Sequence, residues 1–127
     1  MTKKGLGYIN ALMASLNVPY AFGEYKSEPI PETYWTGEYI ESDTLSEDGR
    51  DESTFIITGT TKGSMIGLET VKELIRKKTK NGLTAILEGN SGIAVSYSNS
   101  TPTPSVEFGV HKLQINLTVT EWSVDNE

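Results

Sequence analysis

Residues 53–80, STFIITGTTKGSMIGLETVKELIRKKTK, contain a strand pattern followed directly by a helix pattern. The Thr, Ile and Phe residues of 53–61 are typical of a β-strand. Ser64 is suited to cap the helix that follows, and the run of basic residues after Ile75 favours its C-terminal end. The spacing predicts a helix over 64–80, and its buried stripe consists of Met65, Leu68, Val71 and Leu74/Ile75.

A second amphipathic segment lies at the start of the chain. Its apolar residues recur every three or four positions, and Asn17 and Pro19 follow at its end. This pattern predicts a helix over 2–16, and its apolar side consists of Leu6, Ile9, Leu12, Met13 and Leu16.

The segment between the helices predicts a long β-hairpin. Residues 33–41 are rich in Tyr, Trp and Thr and pair naturally with 53–61. The linker 42–52 is polar and acidic, with Gly49 as a turn residue. We therefore expect a flexible acidic tip over 42–52 in which Leu45 makes no core contact.

The C-terminal part predicts further strands. Residues 84–88 and 93–98 flank Gly-Asn-Ser-Gly at 89–92, which suits a tight hairpin. The apolar residues of the last strand then change phase: Val106, Phe108 and Val110 are even-numbered, and Leu113, Ile115, Leu117 and Val119 are odd-numbered. This slip at His111 and Lys112 predicts either a β-bulge or a strand that packs on two surfaces, one of them on a neighbouring subunit.

The elements together predict an α+β fold. Two helices that each carry one apolar stripe need a surface to cover, so we expect both on one face of a largely antiparallel, possibly mixed sheet. The proline-containing segments 28–32 and 99–105 are expected to be exposed loops. The length of 127 residues fits a single domain over 1–127.

Composition excludes several classes of protein. The chain has no cysteine and a single histidine, His111, so disulfide frameworks, thiolate metal sites and imidazole metal sites are excluded. No long apolar run occurs, and the first residues are too polar for a signal peptide. We expect a protein that neither spans a membrane nor is secreted, and that holds no metal or cofactor.

The sequence offers little for catalysis. His111 has no Gly-x-Ser-x-Gly motif to serve, so a serine hydrolase triad is not indicated. In the Gly-rich turn 59–64, Lys62 precedes Gly63, whereas a phosphate-binding loop has its lysine after the second glycine. The acidic residues in 43–52 lack the spacing of a calcium-binding loop. A weak contact between these carboxylates and a divalent cation is retained as an alternative. We predict that the protein is not an enzyme.

Charge is distributed unevenly along the chain. Residues 24–52 contain ten Asp and Glu against two basic residues, a net charge of −8, and the rest carries +2 because the total is −6. Either the acidic loop is simply solvated, or it meets the basic helix end of the next copy head-to-tail. The residues of that candidate subunit interface are Glu38, Glu41, Glu47, Asp48 and Asp51 with Arg76, Lys77 and Lys80. The few clustered basic residues argue against nucleic-acid binding.

Five short motifs follow one another along the chain: VPYAFG (18–23), YWTGEY (34–39), SEDG (46–49), FIITGTTKGS (55–64) and LQINLTVTEW (113–122). Their order resembles that of the small tail-completion proteins of long-tailed bacteriophages. It implies a tail-terminator or minor tail subunit that forms a ring, usually a hexamer. Such a ring stops growth of the tail tube and presents a surface to the head connector, in the virion tail and, during assembly, in the host cytoplasm.

A different class of function is the alternative. A small acidic binding protein would use the same −8 stretch to occupy a basic surface on a host protein.

Overall fold

The computed structural model describes residues 1–41, 50–87, 91–104 and 107–122. Within these residues the chain forms two helices and six strands. They are α1 (Lys3–Ser15), β1 (Tyr20–Phe22), β2 (Thr33–Glu41), β3 (Arg50–Thr61), α2 (Met65–Lys78), β4 (Leu83–Ile86), β5 (Gly92–Thr103) and β6 (His111–Trp122).

Both predicted helices are confirmed, and side-chain caps fix where they begin. The Thr2 hydroxyl accepts a hydrogen bond from the Gly5 amide at 3.0 Å, and the Ser64 hydroxyl accepts one from the Ile66 amide at 3.1 Å. Each cap satisfies an amide that has no partner inside the helix. Beyond α2, Gly82 has φ of +78°, and its amide donates to the Thr79 carbonyl at 3.1 Å in the turn that leads to β4.

The strands form one mixed sheet in the order β1-β2-β3-β6-β5-β4. Strand β1 runs parallel to β2, and the other neighbouring strands are antiparallel. The predicted α+β class is therefore confirmed. The β2–β3 hairpin also forms as predicted, whereas β1 was not expected because it is only three residues long.

The core lies between the helices and one face of the sheet. Odd-numbered residues of β3 and β6 pair in register, for example Phe55 with Leu117, and these side chains are buried. One hydrophobic cluster joins them to both helices, through Ile9, Met13, Leu68, Val71 and Ile75. The helices thus cover one face, and the even-numbered residues of β3 and β6 lie on the other.

One predicted core residue of α2 is wrong. Leu74 is 42 % exposed, whereas its neighbour Ile75 is fully buried. At about 100° per residue, Ile75 lies almost directly above Leu68, and Leu74 is turned away from that line. The buried side of α2 consequently comprises Leu68, Val71 and Ile75.

The predicted bulge in the last strand is also wrong. Strand β6 keeps a single phase from His111 to Trp122, with its odd-numbered residues toward the helices. The preceding residues belong to a turn, in which the Val110 amide donates to the Glu107 carbonyl at 3.2 Å and Phe108 is fully exposed. A bulge occurs instead in β5, between Tyr97 and Asn99. Val106 lies outside the described residues.

Several predicted boundaries differ from the structure. Residues 99–103, expected as a loop, continue β5 and pair with β6, so that Pro102 lies opposite Leu113. Beyond Val95 this strand has no pairing with β4, and an edge strand tolerates proline. Residues 50–52 belong to β3 rather than to the acidic tip, and β4 covers 83–86 rather than 84–88. Leu45 lies outside the described residues.

Candidate functional site

The acidic interface residues lie at the end of the sheet where β2 finishes and β3 begins. Glu38 and Ile40 are both exposed on the face away from the helices. Successive side chains of a strand point to opposite faces, and the odd-numbered residues of β2 face the core. Strand β1 pairs only with residues 35–37 of β2, so in the described part of the chain residues 38–41 have a neighbouring strand on the β3 side alone. This is an open strand edge that carries carboxylates.

The other acidic residues at this end have different surroundings. The Glu41 carboxylate pairs with the Met1 amine. Asp51 is exposed and lies on the helix side of β3, beside the start of α1. Glu47 and Asp48 lie outside the described residues. We call Glu38, Glu41, Asp51 and Glu52 the acidic corner.

A cleft lies beside Asp51, between the start of α1 and the end of β6. It has a volume of about 460 Å³ and is lined by the first residues of α1 and by Glu121 and Trp122. The buried Glu121 carboxylate accepts hydrogen bonds from the Thr2 amide at 3.2 Å and the Thr2 hydroxyl at 2.5 Å. A carboxylate at a helix N-terminus is electrostatically favourable, so Glu121 attaches α1 to β6.

The basic interface residues lie together on the outward side of α2. They line an open groove of about 760 Å³, which we call the α2 groove, formed by Thr70, Glu73, Leu74, Arg76, Lys77 and Lys80. The Arg76 guanidinium lies 5.4 Å from the centre of the Tyr97 ring on β5, a cation–π contact. Lys78 instead reaches α1, where its ammonium donates to the Ser15 hydroxyl at 3.3 Å.

The α2 groove is positively charged, and ion pairs lie beside it. The Lys72 ammonium is 2.6 Å from Glu69 and 3.6 Å from Glu73. The hydrogen bond to Glu69 raises the pKa of Lys72, which therefore stays protonated. The lining of the groove itself has three cations, Arg76, Lys77 and Lys80, against the one carboxylate of Glu73, so its net charge is positive.

The two charged sets belong to different parts of the fold. The acidic corner belongs to β2 and β3, and β2 is second from one end of the sheet. The α2 groove adjoins β5 through Arg76 and Tyr97, and β5 is second from the other end. The structure thus brings Arg76, Lys77 and Lys80 together, and it separates them from the acidic residues of the same chain.

The other candidate motifs have structural explanations. His111 is exposed at the start of β6, in register with Thr61. In the glycine-rich turn, the Gly63 amide donates to the Thr61 hydroxyl at 3.0 Å and the Lys62 amide to the Glu32 carbonyl at 3.1 Å. These amides satisfy bonds inside the protein instead of forming an anion cradle.

Two structural features are absent from the described part of the chain. No group of three or more His, Asp and Glu side chains there is arranged to hold a metal ion. No helix among these residues is long and apolar enough to cross a membrane.

Sequence reasoning missed the apolar members of both charged surfaces. Ile40, which is 60 % exposed, stands between Glu38 and Glu41, and Leu74 stands among the cations of the α2 groove. The signal for Leu74 was its angular position on α2, about 120° away from Leu68. The signal for Ile40 was its even-numbered position, which it shares with the uncovered face of the hairpin.

Comparison with protein-family models gives no match for this chain, and comparison with curated protein sequences gives none either.

Proposed function

We propose that this protein is a tail-completion subunit of a long-tailed bacteriophage, which assembles into a ring, usually hexameric in that group, at the end of the tail tube. The ring stops growth of the tube and contributes to head–tail joining. Its partners are further copies of the same chain, the tail-tube protein and the head connector, and its role is structural rather than enzymatic.

The separation of the two charged sets carries this proposal. Within the described residues no ion pair joins the acidic corner to the α2 groove, so neither neutralises the other in one chain. A surface that meets a different surface on the next copy generates a head-to-tail assembly, which closes into a ring when the rotation between copies allows it. The motif order that resembles tail-completion proteins supports the same function.

The test compares tails assembled with wild-type and charge-reversed protein. Changing Arg76, Lys77 and Lys80 to Glu is expected to give tails of uncontrolled length and few joined heads. A matched control changes the exposed residues Lys3, Lys26 and Lys62 to Glu, which alters the net charge equally but outside the α2 groove. We expect this control to terminate tails normally.

A companion variant separates charge pairing from loss of folding. Changing Glu38, Glu41 and Asp51 to Lys in the charge-reversed protein is expected to restore part of the termination, because the sign of both surfaces is then exchanged. Normal termination by the first variant would contradict this interface. Unchanged tail length and head joining after deletion of the protein would contradict the tail function itself.

The acidic binding protein remains the second candidate, because the carboxylates on the open edge of β2 suit a basic partner. A chain that stays monomeric beside a growing tube, and that instead forms a stoichiometric complex with a basic host protein, would favour this candidate.

A further inference from the structure

Each of the two charged surfaces contains one exposed apolar side chain. Ile40 is 60 % exposed within the acidic corner, and Leu74 is 42 % exposed within the α2 groove. Isolated exposed apolar residues are common on proteins. These two differ because Ile40 shares its face with the carboxylates Glu38 and Glu52, whereas Leu74 lines a groove that holds three cations and the single carboxylate of Glu73.

The α2 groove is partly preorganised for binding. Arg76 is positioned over the Tyr97 ring, so its guanidinium is fixed at one wall of the α2 groove. Lys77 and Lys80 are exposed, and their ammonium groups are carried on flexible side chains. Leu74 lines the same groove, where an apolar group from a partner would exclude water from ion pairs formed around it.

The residues at the end of β2 present their side chains on the face of the sheet that the helices do not cover. Glu38 and Ile40 are two residues apart on β2 and therefore point in the same direction. Glu52, on the adjacent β3, is also an even-numbered, exposed residue of that face. Among the described residues no strand pairs with 38–41 on the side of β1, so this strand edge is uncovered there.

We propose that the α2 groove binds the β2 edge of a second copy of this chain, with Ile40 packed against Leu74 and Glu38 paired with the groove cations. This contact rests on the proposed ring and specifies its interface. The β2 edge lies on the helix-free side of the sheet, and the α2 groove lies in the helix layer. Every copy therefore offers one of each surface, and the contact repeats in one direction. Apolar packing at the centre also strengthens the surrounding ion pairs by removing water from them.

The absence of cysteine from the sequence makes a direct test possible. In the full-length chain, Ile40→Cys and Leu74→Cys are prepared separately and then mixed with a short bis-maleimide at high protein concentration. The mixture is expected to give covalent dimers that contain one chain of each variant. The double variant is expected to give a ladder of multimers that ends at the ring number.

The control pairs Ile40→Cys with Ile86→Cys, because Ile86 is 74 % exposed but lies on β4. This pair is expected to cross-link several-fold less than Ile40 with Leu74. Equal cross-linking by the control, dimers of Leu74→Cys alone in equal yield, or no mixed dimers would each overturn the proposed contact. Circular dichroism of each variant checks that the fold is intact.

The outcome is separable from that of the tail function. Loss of the mixed dimer in a protein that still terminates tails removes this contact and leaves the ring to form through another surface. Strong mixed dimers in a protein whose deletion leaves tails unchanged would keep the contact and remove the tail function.

Discussion

Two leucines illustrate how much one residue's position decides. Leu117 is fully buried in the centre of β6, whereas Leu74 lies on the outward side of α2. The apolar spacing predicts both as core residues, yet only Leu117 belongs to the hydrophobic cluster. We therefore expect Leu117 to contribute to stability and Leu74 to contribute to assembly.

We predict that Leu117→Ala lowers the free energy of unfolding by about 2–5 kcal/mol, because lost apolar contact adds to a cavity that cannot collapse. Leu74→Ala should change it by less than about 1 kcal/mol, as expected at a surface position. Urea denaturation followed by circular dichroism measures both values. Equal losses would show that the outward side of α2 is packed in the free protein.

Tyr20 is a second residue whose environment has a measurable consequence. Burial raises the pKa of its hydroxyl from 10.0 to about 12. Above pH 10 the unfolded chain releases this proton while the folded protein keeps it, so the stabilisation present below pH 10 is lost as the pH rises toward 12. We predict that melting temperatures fall more steeply over this range for wild type than for Tyr20→Phe. Parallel curves would contradict the assignment.

At the scale of elements, Gly59 on β3 leaves room for the large side chain of Trp35 on β2. Trp35 and Gly59 are cross-strand partners, and the Trp35 indole covers the glycine. A Cβ atom placed on Gly59 would lie 2.6 Å from two carbon atoms of that ring. Because Trp35 is fully buried, the ring has no open space into which it can move.

We therefore predict that Gly59→Ala destabilises the protein by about 1–3 kcal/mol through overpacking. The control is Gly7→Ala on the exposed side of α1, where a Cβ atom would meet nothing within 4 Å. This substitution should stabilise the protein by about 0.5–1 kcal/mol, since alanine favours helix. Thermal unfolding of both variants checks the pair, and a stable Gly59→Ala variant would refute the close contact.

At the scale of the whole molecule, assembly should respond to salt in two stages. The Debye length falls from about 10 Å at 0.1 M to about 3 Å at 1 M ionic strength, which screens exposed charge pairs far more than apolar contacts. We predict that salt lowers the oligomer fraction of wild type in part, and that Leu74→Ala loses the remainder. Sedimentation velocity measures both fractions. An oligomer that is insensitive to salt would contradict charge pairing.

The sequence by itself determined the features that depend on near neighbours. Helices α1 and α2 were predictable to within about two residues, because their apolar spacing, caps and hydrogen bonds all lie within a few positions along the chain. The limits of β2 at Thr33 and Glu41 and the acidic character of the 24–52 region were likewise readable from the sequence.

Tertiary structure decided the features that depend on distant pairing. Residues 99–103 contain a proline and look like a loop, yet β6 supplies partners that hold them as a strand. Three residues became β1 only because β2 lay beside them. Most important for the candidate site, helix packing brought Arg76 of the α2 groove against Tyr97 of β5, whereas the acidic corner lies on β2 and β3. Strand pairing joins segments far apart in sequence, so local patterns do not specify which surfaces a folded chain presents together.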